Sequence, residues 1–486
     1  MGLETSKPSD EDREFLTSTL EQTCRIVAED LSNADVLLVC FGAGFSADSG
    51  LALYKDIAEL EAYRGMKLQY HDICQPMWLH KDPELFYGFW GTCYNDYRDT
   101  QPHEGYDILR RWKDELRRGA GTEIRAQLGA GGLQEQVALD CAWRNAGNVV
   151  DVDADAGDAP PSGQPPVSSP YTVEGFAGAF YIYTSNVDAH SFDYFEPAEV
   201  RECHGNTEVW QCGAEPQPCC RQIWRAPLDF RFNVGPLDMR APRNPKALPT
   251  RATDFQVQAV GELIATEGTD GVSCAGRVRR PYGRRAAPLV RLPVQRQAAR
   301  GDEKGGPFRE NWPRCPACDG LARPAILMFN DNLWIDDDQQ EIRWIAWKRA
   351  VRAVAGRSRA EGRRSRVLIL EIGCGANVTT VRTSVERAAR QFAEEATVTV
   401  ARVNPDFCLP DKLALPSEHH RHLCLPCGGL DALKRIEAHY RAVLRDRAED
   451  VAEEPPSLPA AGSRGPSSRE AASRSRSRHA ARPLQR

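Results

Sequence analysis

The sequence predicts an α/β fold in which a Rossmann-like parallel sheet carries helices on both faces and a smaller module bears paired cysteines. Short, continuously apolar runs, typical of buried parallel strands, alternate with longer segments of helical periodicity. Several of these runs end in glycine or in small polar residues, as strands do where they enter a ligand-binding turn. A region rich in cysteine pairs and proline interrupts the alternation.

The first two predicted elements are a helix and a strand. Apolar residues recur at helical spacing over residues 12–31, behind a possible cap at Ser9 or Asp10. The run that follows over residues 35–41, Asp-Val-Leu-Leu-Val-Cys-Phe, predicts a buried strand that leads directly into Gly42-Ala43-Gly44.

The remaining predicted elements continue the alternation. Strands are predicted at 180–184, 326–329, 367–373 and 397–404, and helices at 76–116, 338–354 and 380–395. Because the carboxyl ends of parallel strands meet at one edge of a sheet, the polar and glycine residues that follow the strands form one candidate site.

Composition limits the classes of protein. The chain has 486 residues, 41% of them apolar, and a formal charge of −6, as is ordinary for a globular protein. No window approaches the roughly 18 apolar residues of a membrane span, and residues 1–13 do not resemble a secretory signal. These features predict a cytoplasmic or nuclear protein without a membrane partner. Because arginine concentrates in residues 271–300 and 456–486 and the rest is acidic, we expect no specific nucleic acid partner. The oligomeric state is left open.

Composition also divides the chain. A domain at 11–450 is predicted to contain a core of residues 11–117, 176–211 and 321–450 and a cysteine module at 205–320, with a basic insertion at about 260–307. Residues 118–172 are interpreted as a low-complexity insertion, of which residues 119–170 can be replaced by a short linker with little loss of stability. Residues 451–486 are interpreted as a disordered Ser/Arg-rich tail.

The cysteines point to a metal. Sixteen cysteines in a large chain without a secretory signal favour metal ligation over disulfides. Cys315 and Cys318 have the two-residue spacing that lets both thiolates bind one ion, and Cys212 with Cys219 or Cys220 supplies a second pair. The sequence predicts one structural zinc per chain, and the cysteine module is therefore a small zinc-binding module.

Other residues suggest a nucleotide site. A Gly-Ala-Gly turn after a buried strand lets the backbone approach a pyrophosphate, while Gly373-Cys374-Gly375 and Asn404 occupy similar positions after later strands. His204 lies between the polar cluster at 185–188 and the first zinc cysteine, where its near-neutral pKa suits a general base.

Taken in order along the chain, these features resemble the sirtuins, a family of NAD-dependent protein deacylases. The family's glycine turn is similar to residues 42–50, its Thr-Gln-Asn-Ile-Asp strand end to residues 184–188, and its catalytic His-Gly to His204-Gly205. Its Arg-Pro and Phe-Gly-Glu segment is similar to residues 320–331. On this basis the chain is interpreted as a divergent member with a sirtuin-type domain.

The resemblance implies an activity and its residues. It implies a protein lysine deacetylase that transfers the acyl group of a protein or peptide to ADP-ribose and releases nicotinamide. Asn186 and Asp188 would hold the carboxamide and ribose side, and His204 would act as the base. The implied NAD-binding residues are Gly42, Ala43, Gly44, Ser46, Tyr54, Lys55, Ser185, Asn186, Asp188, Gly373, Cys374, Gly375 and Asn404.

The chain also departs from the family pattern. Ala52-Leu53-Tyr54-Lys55 replaces Pro-Asp-Phe-Arg, Ser185 replaces Gln, and Cys374-Gly375 replaces Thr-Ser. Trp90 and Cys93 align with the Tyr and Arg that read an acyl carboxylate in one branch, which favours an uncharged acyl group. Two alternatives remain: an ADP-ribosyltransferase or NAD hydrolase of the same fold, and a non-catalytic module that binds NAD and zinc.

Overall fold

A computed structural model describes residues 7–52, 63, 66, 68–129, 132–145, 167–227, 229–244, 306–411 and 418–453. The chain divides into two compact units, Met1–Val443 and Leu444–Arg486, and the described residues of the second lie in the last helix. Tyr54, Lys55 and residues 260–305 of the predicted basic insertion at about 260–307 lie outside the described residues, as does the predicted tail beyond residue 453.

The larger sheet is formed by β1 (Val36–Phe41), β2 (Phe180–Thr184), β3 (Val200–Glu202), β7 (Ser365–Ile372), β8 (Ala396–Val403) and β9 (His420–Leu425). These six strands are parallel and lie in the order β3-β2-β1-β7-β8-β9. Strands β2 and β3 lie on one side of β1, and β7, β8 and β9 lie on the other. The turns that follow the two central strands, β1 and β7, therefore lie side by side.

Both faces of this sheet are covered, as β1 shows. Val36, Leu38 and Cys40 belong to a core shared with residues of the helices on one face. Leu37 and Val39 point the other way, because side chains alternate along a strand, and they are also fully buried. The predicted fold class, a parallel sheet with helices on both faces and a small cysteine module, is confirmed.

The helices of the described part are named in chain order. They are α1 (Asp10–Ser18), α2 (Leu20–Asn33), α3 (Ala43–Ala47), α4 (Tyr70–Ile73), α5 (Trp78–Lys81), α6 (Pro83–Asp99), α7 (Gly105–Glu115), α8 (Arg118–Gly129), α9 (Leu133–Asn145), α10 (Ser191–Tyr194), α11 (Asp338–Ala360), α12 (Thr380–Ala393) and α13 (Gly429–Glu453). No helix in these ranges combines the length and the apolar character that crossing a membrane requires.

The predicted first helix is two helices that meet at Thr19. Ser9 is its cap: the Ser9 hydroxyl accepts from the Asp12 N–H at 3.1 Å, and the Asp12 carboxylate accepts from the Ser9 N–H at 3.3 Å. This reciprocal arrangement is a capping box and pairs two donors that a helix start leaves free.

The cysteine module is a three-stranded antiparallel sheet in the order β5-β4-β6, formed by β4 (Gly205–Cys212), β5 (Ile223–Arg225) and β6 (Ala322–Ile326). The prediction of a core strand at 326–329 is wrong, because the strand ends at Ile326 and pairs with β4 instead of joining the parallel sheet. A second core of aromatic side chains joins this small sheet to α6.

The stretch 118–172 is not devoid of regular structure. It contains α8 and α9, whose side chains Ile124, Leu128 and Val137 are buried in the main core. Arg349 of α11 pairs with Asp140 of α9 at 2.8 Å. The prediction of a segment without regular structure is therefore wrong for residues 118–145, since glycine and alanine obscured a pair of packed helices. That the segment can be removed stays a prediction, and the packing of the two helices argues against it. The proposed domain boundaries themselves stay predictions.

Candidate functional site

The two glycine turns lie against each other at the carboxyl edge of the large sheet. The Gly44 N–H donates to the Gly373 carbonyl at 3.0 Å. A Cβ on Gly42 would lie 2.6 Å from the Cys374 Cα, and one on Gly44 would lie 2.8 Å from the Gly373 Cα. Glycine is required at both positions because two backbones touch there, a reason that does not itself involve a ligand.

A chain of hydrogen bonds joins β1 and β2 beside these turns. Asn186, after β2, donates its Nδ2–H to the Ser46 Oγ at 2.9 Å, and the Ser46 hydroxyl donates to Asp188. Asn186 and Asp188 are buried. The Asn186 Oδ1 is buried and has no hydrogen-bond partner among the described residues. The structure thus brings together three predicted site residues and leaves one carbonyl acceptor unused.

His190 extends this group, although the sequence analysis did not select it. Its backbone N–H donates to the Asp188 Oδ1 at 2.9 Å, and its ring Nε2 lies 3.0 Å from the Tyr97 carbonyl oxygen. That carbonyl can only accept, so Nε2 carries the proton. The ring Nδ1 lies 3.9 Å from the Asp188 Oδ2, too far for a hydrogen bond, and has no other partner in the described part of the chain. An Asp-x-His spacing after a strand is the signal that could have found it.

His204 lies between β3 and β4 in a segment that is tied to the residues after β2. The Cys203 N–H donates to the Thr184 carbonyl at 2.8 Å, and the Thr207 N–H donates to the Val187 carbonyl at 3.0 Å. These bonds hold the histidine alongside the 184–188 segment.

The surroundings of the His204 ring keep it neutral. Burial, together with the positive charge of Arg201, lowers the pKa of His204 to about 4. Its Nε2 lies 3.2 Å from the Oγ1 of Thr380, which is the first residue of α12. A neutral imidazole beside a hydroxyl has the proton-accepting form that a general base needs.

Asn404 and Cys374 hold the edge of the sheet together. Asn404 donates its Nδ2–H to the Cys374 carbonyl at 2.8 Å, while its Oδ1 accepts from the Asp406 and Phe407 N–H groups at 2.9 Å. The Cys374 side chain is buried in the main core. These contacts give both residues a structural role, and their contact with a cofactor stays a prediction.

The other predicted residues of this edge are more open. Ala43 begins α3, Ser185 donates its N–H to the Phe41 carbonyl at 3.2 Å, and Gly375 is exposed. All three follow strands of the large sheet, and their contact with a cofactor stays a prediction.

Four cysteines of the module converge on one point. The Sγ atoms of Cys212, Cys219, Cys315 and Cys318 all lie within 4.8 Å of one another. Cys212 and Cys219 are 3.5 Å apart, Cys219 and Cys315 3.6 Å, and Cys212 and Cys318 3.8 Å. A tetrahedral zinc with Zn–S bonds of about 2.3 Å would separate its sulfurs by about 3.8 Å. The cluster therefore fits a zinc ion.

Local backbone geometry builds this cluster. Cys212 ends β4, and the loop to β5 supplies Cys219, whose N–H donates to the Cys212 Sγ at 3.4 Å. The Cys315 N–H donates to the Gly320 carbonyl at 2.8 Å, which turns the chain between Cys315 and Cys318. Cys219, and not Cys220, belongs to the set of four.

No protein-family model matches the sequence, and no curated protein matches it. Among solved structures, a Sir2 homologue in complex with NAD aligns with 86% of this chain and 94% of its own, at 14% identity and a TM-score of 0.39. A Sir2 homologue mutant in complex with 2'-O-acetyl ADP-ribose aligns with 86% of this chain and 97% of its own, at 12% identity and a TM-score of 0.37. Both scores are low, so the fold of this chain is defined by its own sheet topology and packing.

Proposed function

We propose that this chain is an NAD-dependent protein lysine deacylase that transfers an uncharged acyl group, such as acetyl, to ADP-ribose. The observation that carries the proposal is the hydrogen-bonded set of Asn186, Ser46 and Asp188, which ends in an unused buried acceptor at the carboxyl edge of a parallel sheet. Ligands of open α/β sheets bind at this edge.

The unpaired acceptor of this set suits the nicotinamide end of NAD. A carboxamide offers N–H donors, and the Asn186 Oδ1 is a buried carbonyl oxygen without a partner in the described residues. A buried acceptor of this kind is costly unless it is paired, so a donor from a ligand would satisfy it. NAD, when bound, supplies a ribose carbon that can be attacked and a nicotinamide leaving group.

Asp188 and His204 then have separate roles. Asp188 is held by Ser46 and by the His190 N–H, which fixes its carboxylate for the ribose side of the ligand. His204 is neutral, so its imidazole could take up the proton of a ribose hydroxyl. The freed oxygen would bond to the acyl carbon, and with one water as co-reactant the bond from that carbon to the lysine nitrogen would break, which would leave the acyl group on ADP-ribose and release free lysine.

Two buried residues support an uncharged acyl group. Trp90 and Cys93 on α6 are buried in the aromatic core next to the cysteine module, where the resemblance aligns them with readers of an acyl carboxylate. Burial raises the pKa of the Cys93 thiol, so neither side chain offers a charge to an acidic acyl group.

The zinc would be structural. Four thiolates close a tetrahedral site and leave no position for substrate or water. We further propose an acyl-lysine protein or peptide as substrate, because the Asn186 to Asp188 set and His204 suit transfer from lysine. A cytoplasmic or nuclear location is a separate proposal, which rests on the composition of the chain.

Incubation with NAD and an acetyl-lysine peptide, followed by mass identification of all products, tests this function. We expect nicotinamide, free lysine and O-acetyl-ADP-ribose in equal amounts. His204→Ala should lower the rate by about 10²–10⁴-fold, the usual contribution of a general base. His439→Ala, which removes a half-buried histidine of α13 that pairs with Glu21, is the matched control.

Other products would replace this proposal. ADP-ribosylated protein would indicate a transferase, free ADP-ribose without lysine release would indicate a hydrolase, and bound but unaltered NAD would indicate a binding module. Full activity of His204→Ala would exclude His204 as the general base.

A further inference from the structure

A second cluster of potential metal ligands lies where α12 packs against the edge strand β9. One ligand atom from each of Glu386, His420 and His422 lies within 4.8 Å of the other two. The His422 Nε2 is 3.5 Å from the Glu386 Oε2, and the centres of the two imidazole rings are 4.7 Å apart. The cluster is separate from the four cysteines.

Strand geometry explains why these side chains meet. His420 and His422 are two residues apart on β9, so both point to the same face of the sheet. Arg421 between them points to the other face, where it pairs with Asp30 of α2 at 2.5 Å. Glu386 lies on α12, which covers the face that the two histidines share.

The ligand atoms of the cluster are largely buried and have few partners outside it. The side chain of Glu386 is 1% exposed and that of His422 12%, and His420 as a residue is 7% exposed. Apart from the 3.5 Å approach of the Glu386 Oε2 to the His422 Nε2, these two atoms, the His422 Nδ1 and the His420 Nε2 have no hydrogen-bond partner among the described residues. Buried polar atoms are normally paired, so this concentration of unpaired atoms points to a missing ligand.

The ionised side chains around Glu386 have a net negative charge, which a bound cation would compensate. Arg402 donates to the Glu386 Oε1 at 3.0 Å, and it also pairs with Glu371 at 2.8 Å and Asp411 at 3.3 Å. Arg382 pairs with Asp411 at 2.8 Å. Three carboxylates and two guanidinium groups, all about 1% exposed, leave one negative charge when all are ionised. Buried charges require compensation.

Arg390 also lies near Glu386. It is one turn along α12 and exposed, and its Nε donates to the Glu386 backbone carbonyl at 3.3 Å. Arg390 therefore gives the free carboxylate oxygen of Glu386 no hydrogen bond.

We propose that Glu386, His420 and His422 bind a divalent cation of the zinc class. Two imidazoles and one carboxylate form a known zinc donor set in which water completes the coordination, and the partial exposure of His422 admits that water. Arg402 holds the carboxylate from the other side, as outer-shell partners of metal ligands do.

The site would fasten the edge strand β9 to α12 and is independent of the proposed function. His420 pairs with Val398 and His422 with Val400 of β8, whereas Asn404 follows the end of that strand. Four to six residues of strand separate the two histidines from Asn404 by about 13–20 Å. The two histidines therefore lie away from the strand ends that carry the glycine turns.

Zinc titration of the metal-free full chain under reducing conditions tests the proposal. We expect two zinc ions per chain, one in the thiolate cluster and one here. His422→Ala should weaken binding of the second ion by at least about 100-fold, because loss of an outer-shell partner alone costs 10–100-fold. His439→Ala, a histidine of α13 outside the cluster, should leave both ions bound. A single zinc in the unaltered chain, or a second zinc that His422→Ala retains, would overturn the proposal.

Cobalt first provides a measurement on the unaltered chain, and the variant Glu386→Gln then assigns it. After zinc has filled the thiolate cluster of the unaltered chain, added Co²⁺ should give weak visible bands of nitrogen and oxygen ligation without thiolate charge transfer. Glu386→Gln, which keeps an acceptor for Arg402, should abolish these bands. Thiolate charge transfer from the added cobalt, or no bound cobalt at all, would contradict a site at these three residues.

Discussion

Replacing Ile124 by alanine tests whether α8 is an integral part of the fold. Ile124 is 0% exposed and packs in the main core, among residues of the large sheet and α11. Truncation of a fully buried isoleucine removes its packing and leaves a cavity, which usually costs about 2–5 kcal/mol. We expect Ile124→Ala to lower the free energy of unfolding by an amount in this range.

The matched control lies on the adjacent helix. Leu139 of α9 is 70% exposed, so Leu139→Ala should change the free energy of unfolding by less than about 0.5 kcal/mol. Urea unfolding followed by circular dichroism measures both variants against the unaltered chain. Equal midpoints for Ile124→Ala and Leu139→Ala would show that α8 does not pack on the core, and residues 118–145 would then be removable after all.

Two further predictions concern the zinc cluster and the buried histidine. Cys315→Ser should lose one zinc per chain and melt at a lower temperature. Cys220→Ser should keep that zinc, because Cys220 lies outside the set of four. Equal metal content in the two variants would contradict the assignment. The pKa of His204 is about 4 in the folded chain. Below about pH 6.5 the unfolded chain therefore binds a proton at this histidine that the folded chain does not bind. The free energy of unfolding should fall as the pH decreases from about 6.5 to about 4. Urea titrations at pH 7 and pH 5 should show a smaller fall for His204→Gln, and an identical fall in both proteins would refute the buried neutral histidine.

The central strands were predictable because burial on both faces makes them continuously apolar. β1 and β7 are examples, and the sequence places both within one or two residues of their observed bounds. β9 was missed because it begins with the polar residues His-Arg-His. It lies at the edge of the sheet, where a strand can carry polar residues at positions that hold valine or leucine in a central strand. The spacing of its two histidines was nevertheless a readable signal, since alternate strand residues share a face.

Site residues were predictable where chemistry and chain position agree. Asn186 and Asp188 follow a strand, and the structure joins them through Ser46 as expected of one edge of a sheet. The reason for Gly42 was not predictable, because it depends on the backbone of Cys374, more than 300 residues later in the chain. His190 was missed for the same reason: its partner Tyr97 comes from a distant helix.

The rate of nicotinamide release from NAD, with and without an acetyl-lysine peptide, tests the proposed function most directly. Asn186 is the residue to change, because its free Oδ1 is the proposed acceptor for the carboxamide. We expect peptide-dependent release that falls by about 10²-fold in Asn186→Ala, the effect of losing correct positioning, while Asn33→Ala on α2 retains full activity. Absence of nicotinamide release from the folded, zinc-bound chain, or equal rates for Asn186→Ala and the unaltered chain, would contradict the proposal.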